Sequence, residues 1–193
     1  FFFFFFAIVA YSYIGYGIVL YFLVKLKQLI FCLTKLHVSN DLPTVTLLIA
    51  AWNEEDVIEE KIQNSFNLNY PDDKLQFLFI TDGSTDQTPQ IISKYNRINL
   101  LHQSQRNGKT AAINRAMKQV TSDVVVFSDA NTMLNEEALL EIVKHYNKEK
   151  VGCVSGEKRV RIPETAQASA AGEGLYWKYE SKLKQWDSEL YSA

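Results

Sequence analysis

Two oxygen-bearing side chains follow directly after a strongly apolar stretch in the second half of the chain. The residues Val124 to Ser128 are almost all apolar or small, as in a buried central strand, and Asp129 and Asn131 come next. Ligands of open parallel sheets bind outside the carboxyl ends of the strands. Asp129 is therefore predicted to bind a divalent cation. Asn131, two residues further along an extended backbone, would supply a second oxygen.

Two further acidic segments follow predicted strands in the same way. Glu54 lies shortly after the strand predicted for Thr44 to Ala50, and Asp82 lies after the strand predicted for Leu75 to Ile80. Right-handed crossovers bring the carboxyl ends of parallel strands to one edge of a sheet, so we expect these carboxylates to share a crevice with Asp129. Such a crevice suits a cation that neutralises phosphates, while Asp82 and Glu54 would accept hydrogen bonds from a base or ribose.

Simpler structural roles fit several of these residues as well. Asp82 begins a common turn sequence, and Ser84 or Asp86 would serve as a helix cap. Lys109 either neutralises a diphosphate or is an exposed lysine at the start of a helix. Asp129 is harder to explain structurally, because a carboxylate that ends an apolar strand destabilises the fold unless it is paired, solvated or bound to metal.

Strands and helices alternate along the middle of the chain, and antiparallel hairpin signals are missing between them. This alternation predicts an α/β fold with a parallel sheet and helices on both faces. The predicted helices begin at Asn53, Gln87, Thr110 and Asn135, with both asparagines as N-caps, and two further strands are predicted at Ile98 to Leu101 and Val151 to Val154.

The stretch from Phe1 to Val24 carries no charge. As a helix it rises roughly 36 Å, enough to cross a hydrocarbon core of ~30 Å. Lys25, Lys27 and Lys35 follow this stretch, whereas a cleaved signal peptide would have basic residues before the apolar run and a small-residue cleavage site after it. The sequence therefore predicts a transmembrane helix, and the positive flank places the following domain on the cytoplasmic side.

The charge balance and the cysteines give no support to two other classes of protein. Lys and Arg number 20 against 22 Asp and Glu, and a net charge of −2 gives no support to nucleic-acid binding. Cys32 and Cys153 match no metal or redox spacing, and two unpaired thiols agree with a reducing compartment.

The end of the chain predicts an amphipathic helix, with aromatic and leucine side chains along one face of Glu173 to Leu190. The aromatic and lysine-rich character suits a membrane surface, and packing against the domain fits equally well.

Four segments, taken together in order and spacing, resemble the nucleotide-sugar domain of family 2 glycosyltransferases. The likeness is greatest to membrane-bound polysaccharide synthases such as cellulose, hyaluronan and poly-N-acetylglucosamine synthases. The segments are Ile49 to Glu55 (IAAWNEE), Ile80 to Asp86 (ITDGSTD), Asn107 to Asn114 (NGKTAAIN) and Phe127 to Asn131 (FSDAN).

This resemblance implies a GT-A fold with a Rossmann-like, mostly parallel sheet. It also implies inverting transfer of a sugar from a nucleotide diphosphate, usually UDP, to a hydroxyl of a growing polysaccharide or other glycan, with Mg²⁺ or Mn²⁺ on the diphosphate. Carried over by position, Ala51 and Glu54 would lie along the nucleoside, Asp82 would contact the base, and Lys109 would lie near the nucleotide. Asp129 would belong to the D-x-D metal motif of the family, from which Asn131 departs by lacking a charge.

The resemblance also shows what the sequence lacks. The family places its general base in a Glu-Asp pair, and no such pair occurs after Ser155. We therefore expect the base to lie beyond residue 193 and the chain by itself to be inactive; a non-catalytic nucleotide-binding or scaffolding module is the alternative. The expected organisation is a transmembrane helix at 1–30, a linker at 31–43, an incomplete GT-A domain at 44–172 and an amphipathic helix at 173–193 that starts the acceptor half. Membrane lipid is an expected partner of the chain.

Overall fold

The computed structural model describes residues 1–30, 41–147, 151–157 and 168–191. The chain divides into two compact units, one comprising Phe1–His37 and Tyr146–Ala193 and the other Val38–His145. Most of the predicted linker, residues 31–40, lies outside the described residues. In chain order the elements are α1 (Phe2–Ala10), a π-helical turn (Tyr11–Gly15), α2 (Tyr16–Ile30), β1 (Val45–Ala51), α3 (Ile58–Phe66), a 3₁₀ turn (Asp72–Lys74), β2 (Leu75–Asp82), α4 (Thr88–Ile92), β3 (Ile98–Gln103), α5 (Lys109–Met117), β4 (Val124–Asp129), α6 (Ala138–Val143), a second 3₁₀ turn (Lys144–Asn147) and α7 (Ala168–Tyr191).

The unit Val38–His145 contains a four-stranded sheet in the order β3-β2-β1-β4. The three strand pairings within it are all parallel, which confirms the predicted parallel sheet. The chain adds β2 and β3 on one side of β1 and then returns to place β4 on the other side. The strand order therefore reverses between β1 and β4, which is where open parallel sheets bind their ligands.

Helices cover both faces of this sheet, as predicted. On one face Leu48 of β1 packs in a buried cluster with Ala112 and Ala116 of α5, whose small side chains allow the helix to lie close to the strands. On the other face Phe77 of β2 packs edge-on against Phe66 of α3, with ring centroids 5.2 Å apart. Successive strand residues face opposite sides, so each strand contributes to both layers.

The structure corrects the predicted position of the strand that ends in Asp129. This strand, β4, lies at the edge of the described sheet, and its Phe127 side chain is 55% exposed. The prediction of a central strand was wrong. An apolar run indicates that both faces of a strand are covered, but it does not indicate whether other strands pair with both of its edges. The strand predicted at Val151 to Val154 is also wrong, since residues 151–157 form no strand or helix.

Two predicted helix caps are wrong as well. Asn53 has a positive φ of 54° and lies in a loop, and α3 begins only at Ile58. Helix α6 begins at Ala138, three residues after Asn135, and neither helix has a side-chain hydrogen bond at its cap. Both asparagines are followed by acidic residues, and any of these residues could also begin a helix. The local pattern therefore does not locate the first turn.

The other unit contains the apolar helix Phe2–Ile30, the one helix among the described residues that is long and apolar enough to cross a membrane. Helix α7 packs along it within the same unit. Tyr179 donates a hydrogen bond from its hydroxyl to the carbonyl of Tyr13 at 2.6 Å, and the ring of Trp186 lies 5.5 Å from that of Tyr21. The aromatic face predicted for this helix therefore contacts the apolar helix.

Candidate active site

A cavity of about 300 Å³ lies at the carboxyl ends of β1, β2 and β4, where the strand order reverses. All the residues selected from the sequence line it, although they come from four separate segments of the chain. Carboxylates, an ammonium group and an exposed indole thus converge on one space. The lining residues are Ala50, Ala51, Trp52, Glu54, Ile80, Asp82, Arg106, Gly108, Lys109, Ala112, Asp129 and Asn131.

Hydrogen bonds join the loop after β1 to the loop after β2 and so shape one wall of the cavity. The side chain of Asn53 accepts a hydrogen bond from the backbone N–H of Thr85 at 2.9 Å, and the N–H of Glu54 donates to Thr88 Oγ1 at 2.9 Å. Asp86 accepts from the N–H of Thr88 at 3.1 Å, at the start of α4. Asp86 therefore supports the start of a helix, as in the simpler structural role. The backbone hydrogen bond to Thr88 holds Glu54 at the cavity.

Asp82 is almost fully buried and organises the loop that carries Lys109. Its Oδ2 accepts hydrogen bonds from the backbone N–H groups of Asn107 and Gly108, both at 2.7 Å. Its Oδ1 faces the guanidinium of Arg115 at 3.3 Å. Gly108 adopts φ 92°, which favours glycine and lets the chain turn into α5 directly after these contacts.

These contacts also determine the charge of Asp82. Burial alone would raise the pKa of its carboxyl, but the backbone N–H groups of Asn107 and Gly108, together with Arg115, lower the pKa below its ordinary value. Asp82 is therefore ionised at neutral pH while largely shielded from water. No local pattern predicted the Arg115 contact, which joins a helix residue to a strand end 33 positions earlier.

Sequence reasoning assigned no role to Trp52 and Arg106, which form the outer wall of the cavity. The guanidinium of Arg106 stacks 3.6 Å from the centroid of the Trp52 ring. The indole N–H donates to the carbonyl of Gly83 at 3.1 Å. Gly83 has φ 70°, and a Cβ there would lie 2.6 to 2.8 Å from Arg106, so the close approach requires glycine. An aromatic residue directly after a strand end was the available sequence signal.

Asp129 and Asn131 both line the cavity. The backbone between them forms a turn, whereas the sequence predicted an extended backbone. Strand β4 ends at Asp129, and a hydrogen bond from the N–H of Thr132 to its carbonyl at 3.2 Å closes a turn. The Nζ of Lys109 lies 2.5 Å from Asp129 Oδ1, and both side chains are more than half exposed. A cationic group therefore already contacts this carboxylate.

The donor set fits a divalent cation that is shared with a ligand. Asp129 offers a carboxylate and Asn131 an amide oxygen, and the described residues contain no cluster of three or more His, Cys, Asp or Glu side chains that would hold a metal alone. Mg²⁺ and Mn²⁺ accept oxygen ligands from phosphates and water. A cation here would take its remaining ligands from a bound diphosphate.

Behind the turn lies a lysine that the sequence did not single out. Lys61 of α3 is fully buried, and its Nζ donates to Ser128 Oγ at 2.8 Å and to the carbonyl of Thr132 at 2.5 Å. Burial lowers the pKa of Lys61 to about 8, and the nearby charge of Asp129 partly opposes this shift. A lone lysine on a helix is ordinarily an exposed residue, so local sequence gave no signal.

Parallel strands, a reversal of strand order and acidic loops around one cavity are the features of a nucleotide-binding α/β domain. The model of the Glycosyl transferase family 2 matches residues 46–191, and the chain belongs to this family.

Two curated relatives indicate which enzymes the chain is similar to. It is 33% identical over 130 residues to the beta-monoglucosyldiacylglycerol synthase of Nostoc sp., a match that covers 64% of this chain and 28% of that protein. It is 32% identical over 126 residues to the poly-beta-1,6-N-acetyl-D-glucosamine synthase of Staphylococcus aureus, covering 63% of this chain and 30% of that protein. The matches span less than a third of either relative.

A solved structure has a similar fold. The mannosyltransferase PcManGT of Pyrobaculum calidifontis, in complex with GDP-Man and Mn²⁺, superposes with a TM-score of 0.64 at 26% identity. The superposition covers 78% of this chain and 46% of that one.

Proposed function

We propose that this chain forms the donor-binding part of an inverting glycosyltransferase that moves a sugar from UDP to a hydroxyl of a growing glycan. The observation that carries the proposal is the cavity at the reversal of strand order, where Asp82, Lys109 and Asp129 converge. Its combination of an aromatic wall, an ammonium group and carboxylates suits a ligand with a base, a sugar and a diphosphate. The family membership and the similar fold of a GDP-Man complex support the same class of donor.

The residues divide between the two ends of such a donor. Ala51 and Glu54 would lie along the nucleoside, with the Trp52 ring as an apolar surface beside it. Asp82 Oδ2 accepts hydrogen bonds from backbone N–H groups. Its other oxygen, Oδ1, would accept a hydrogen bond from the base. The wall formed by Trp52 and Arg106 would then close this end of the site.

At the other end, Asp129 and Asn131 would hold Mg²⁺ or Mn²⁺ against the diphosphate. The cation neutralises charge that develops on the diphosphate as it leaves. Lys109 would move from Asp129 to the phosphates, since an exposed ion pair of this kind is worth less than about 1 kcal/mol.

Inverting transfer also needs a general base. The acceptor oxygen forms a bond to the anomeric carbon, the bond from that carbon to the diphosphate breaks, and the base takes the acceptor proton. Among the described residues that line the cavity the carboxylates are Glu54, Asp82 and Asp129. Each of them is assigned to donor binding in this proposal. We therefore propose that the base comes from outside this lining.

The apolar helix and the two relatives suggest where the reaction takes place. A helix of 29 residues is long enough to cross a membrane, and the lysines at its end favour a cytoplasmic domain in contact with membrane lipid. The relatives are named for a glycolipid product and a polysaccharide product. We propose a glycan acceptor at the membrane surface.

The proposal predicts metal-dependent binding of UDP to the full chain in detergent micelles. Asp82→Ala and Asp129→Ala should each weaken UDP binding in Mn²⁺ about 10- to 100-fold, the worth of a hydrogen bond or ion contact to a charged group. Isothermal titration with UDP measures this loss. The same titration with GDP compares the affinity for the other nucleotide. A matched control is Asp123→Ala, which removes a carboxylate that binds Thr44 at the opposite end of β4 and should leave binding unchanged. Equal UDP binding with and without Mn²⁺ would contradict the proposal.

A further inference from the structure

The buried ammonium group of Lys61 binds both ends of the turn that carries Asp129 and Asn131. Ser128 Oγ, 2.8 Å from Lys61 Nζ, belongs to the residue before Asp129, and the Thr132 carbonyl, at 2.5 Å, belongs to the residue after Asn131. Lys61 therefore contacts the flanks of the turn, while Asp129 and Asn131 themselves line the cavity.

A lysine in this place is costly unless its charge is used. Removing an ammonium group from water is unfavourable, and an apolar side chain of similar length would fill the same space without that cost. Both acceptors of Lys61 belong to the turn, and Ala130 at its centre is 1% exposed. The free energy of burying this charge is thus offset by contacts that fix one short segment of the chain.

Helix α3 holds the same loop at a second point, which provides a comparison. One turn further along α3, Asn64 donates from Nδ2 to the carbonyl of Leu134 at 2.7 Å and accepts from its N–H at 2.9 Å. Asn64 therefore anchors the loop beyond the cavity with two neutral hydrogen bonds. Lys61 anchors it at the level of the proposed cation ligands and with a charged group.

We propose that Lys61 is a positioning residue for the cation site. By holding both ends of the turn it fixes the position of the Asp129 carboxylate relative to the Asn131 amide, the two groups that would bind the cation. This inference rests on the proposed function, because it assumes that the cation and a nucleoside diphosphate bind in the cavity. Lys61 itself touches neither.

The test measures Mn²⁺ binding to the full chain with saturating UDP, from the electron paramagnetic resonance signal of free Mn²⁺. Lys61→Met should weaken Mn²⁺ binding about 10- to 100-fold, as expected when a residue that orients a metal ligand is lost. The matched control is Asn64→Ala, which also frees backbone groups of the same loop. It should weaken Mn²⁺ binding less than about threefold, since its partner Leu134 lies outside the turn and both contacts of Lys61 to the turn remain.

Each outcome decides the proposal. Unchanged Mn²⁺ binding in Lys61→Met, or an equal loss in Asn64→Ala, overturns the positioning role. If Lys61→Met does not fold by circular dichroism, Ser128→Ala replaces it; this variant removes one acceptor and should weaken Mn²⁺ binding about two- to fivefold, the worth of one hydrogen bond, and no change overturns the proposal. If the unaltered chain binds neither UDP nor Mn²⁺, the proposed function fails together with the positioning role. If the unaltered chain binds both and only the expected loss in Lys61→Met is missing, the positioning role alone fails.

Discussion

Two lysines lie on opposite sides of Asp129, and their surroundings differ in almost every respect. Lys61 is fully buried behind the turn and donates to two oxygens of its flanks. Lys109 lies on the cavity side, is 60% exposed and contacts the Asp129 carboxylate itself at 2.5 Å. The same residue type therefore forms part of the framework on one side and an exchangeable contact on the other.

The difference shows how burial separates support from binding. A buried ammonium group cannot return to water without opening the structure, so its contacts persist. An exposed ion pair loses little when one partner leaves, because water replaces the contact. Lys109 is thus free to be displaced by a metal ion or to turn to a phosphate, while Lys61 keeps the turn in one shape.

Reversal of charge at the two positions should give the largest contrast. Lys61→Glu would bury a carboxylate against the Thr132 carbonyl and close to Asp129, and we expect a loss of about 3–5 kcal/mol in the free energy of unfolding. Lys109→Glu should cost less than about 1 kcal/mol, because both partners are exposed. Urea unfolding of the two variants, followed by circular dichroism, measures the difference. Similar losses would show that Lys61 is not held as described.

The pH dependence of stability gives a smaller effect with a defined sign. The pKa of Lys61 is about 8 in the folded chain and 10.5 as its ordinary value, so the unfolded chain binds more protons between these values. The free energy of unfolding of the unaltered chain should therefore rise relative to that of Lys61→Met between pH 8 and 10.5, by up to about 3 kcal/mol. Unfolding at several pH values in the absence of metal measures the difference between the two chains. A constant difference across this range would contradict the buried position of the charge.

The smallest effect concerns competition at the Asp129 carboxylate. If the Lys109 ammonium and a metal ion compete there, Lys109→Met should bind Mn²⁺ about two- to fivefold more tightly without nucleotide, the worth of an exposed ion pair. Titration of Mn²⁺ without UDP measures this gain. Lys109→Arg, which keeps the charge, is the matched control and should bind as the unaltered chain does. Weaker Mn²⁺ binding in Lys109→Met would mean that Lys109 supports the cation site.

The residues around Asp82 show how far local sequence leads to the site. The apolar run that ends in Asp82 marks the end of a strand, and the ends of parallel strands converge, so its place at the cavity follows from pattern alone. Its two hydrogen bonds to the loop before Lys109 do not follow, because they depend on how that loop returns to the sheet. Sequence thus predicts which strand ends meet, whereas the hydrogen-bond partners at those ends depend on the tertiary structure.

The sequence by itself determined the alternation of strands and helices, the family motifs and six of the residues that line the cavity, because these depend on local periodicity and on a general rule for parallel sheets. Only the tertiary structure decided that β4 lies at the edge of the described sheet, that Arg106 stacks on Trp52 and that Lys61 binds the turn after β4. These contacts join residues as many as 71 positions apart in the chain. Their existence depends on how whole elements pack, which no local pattern specifies.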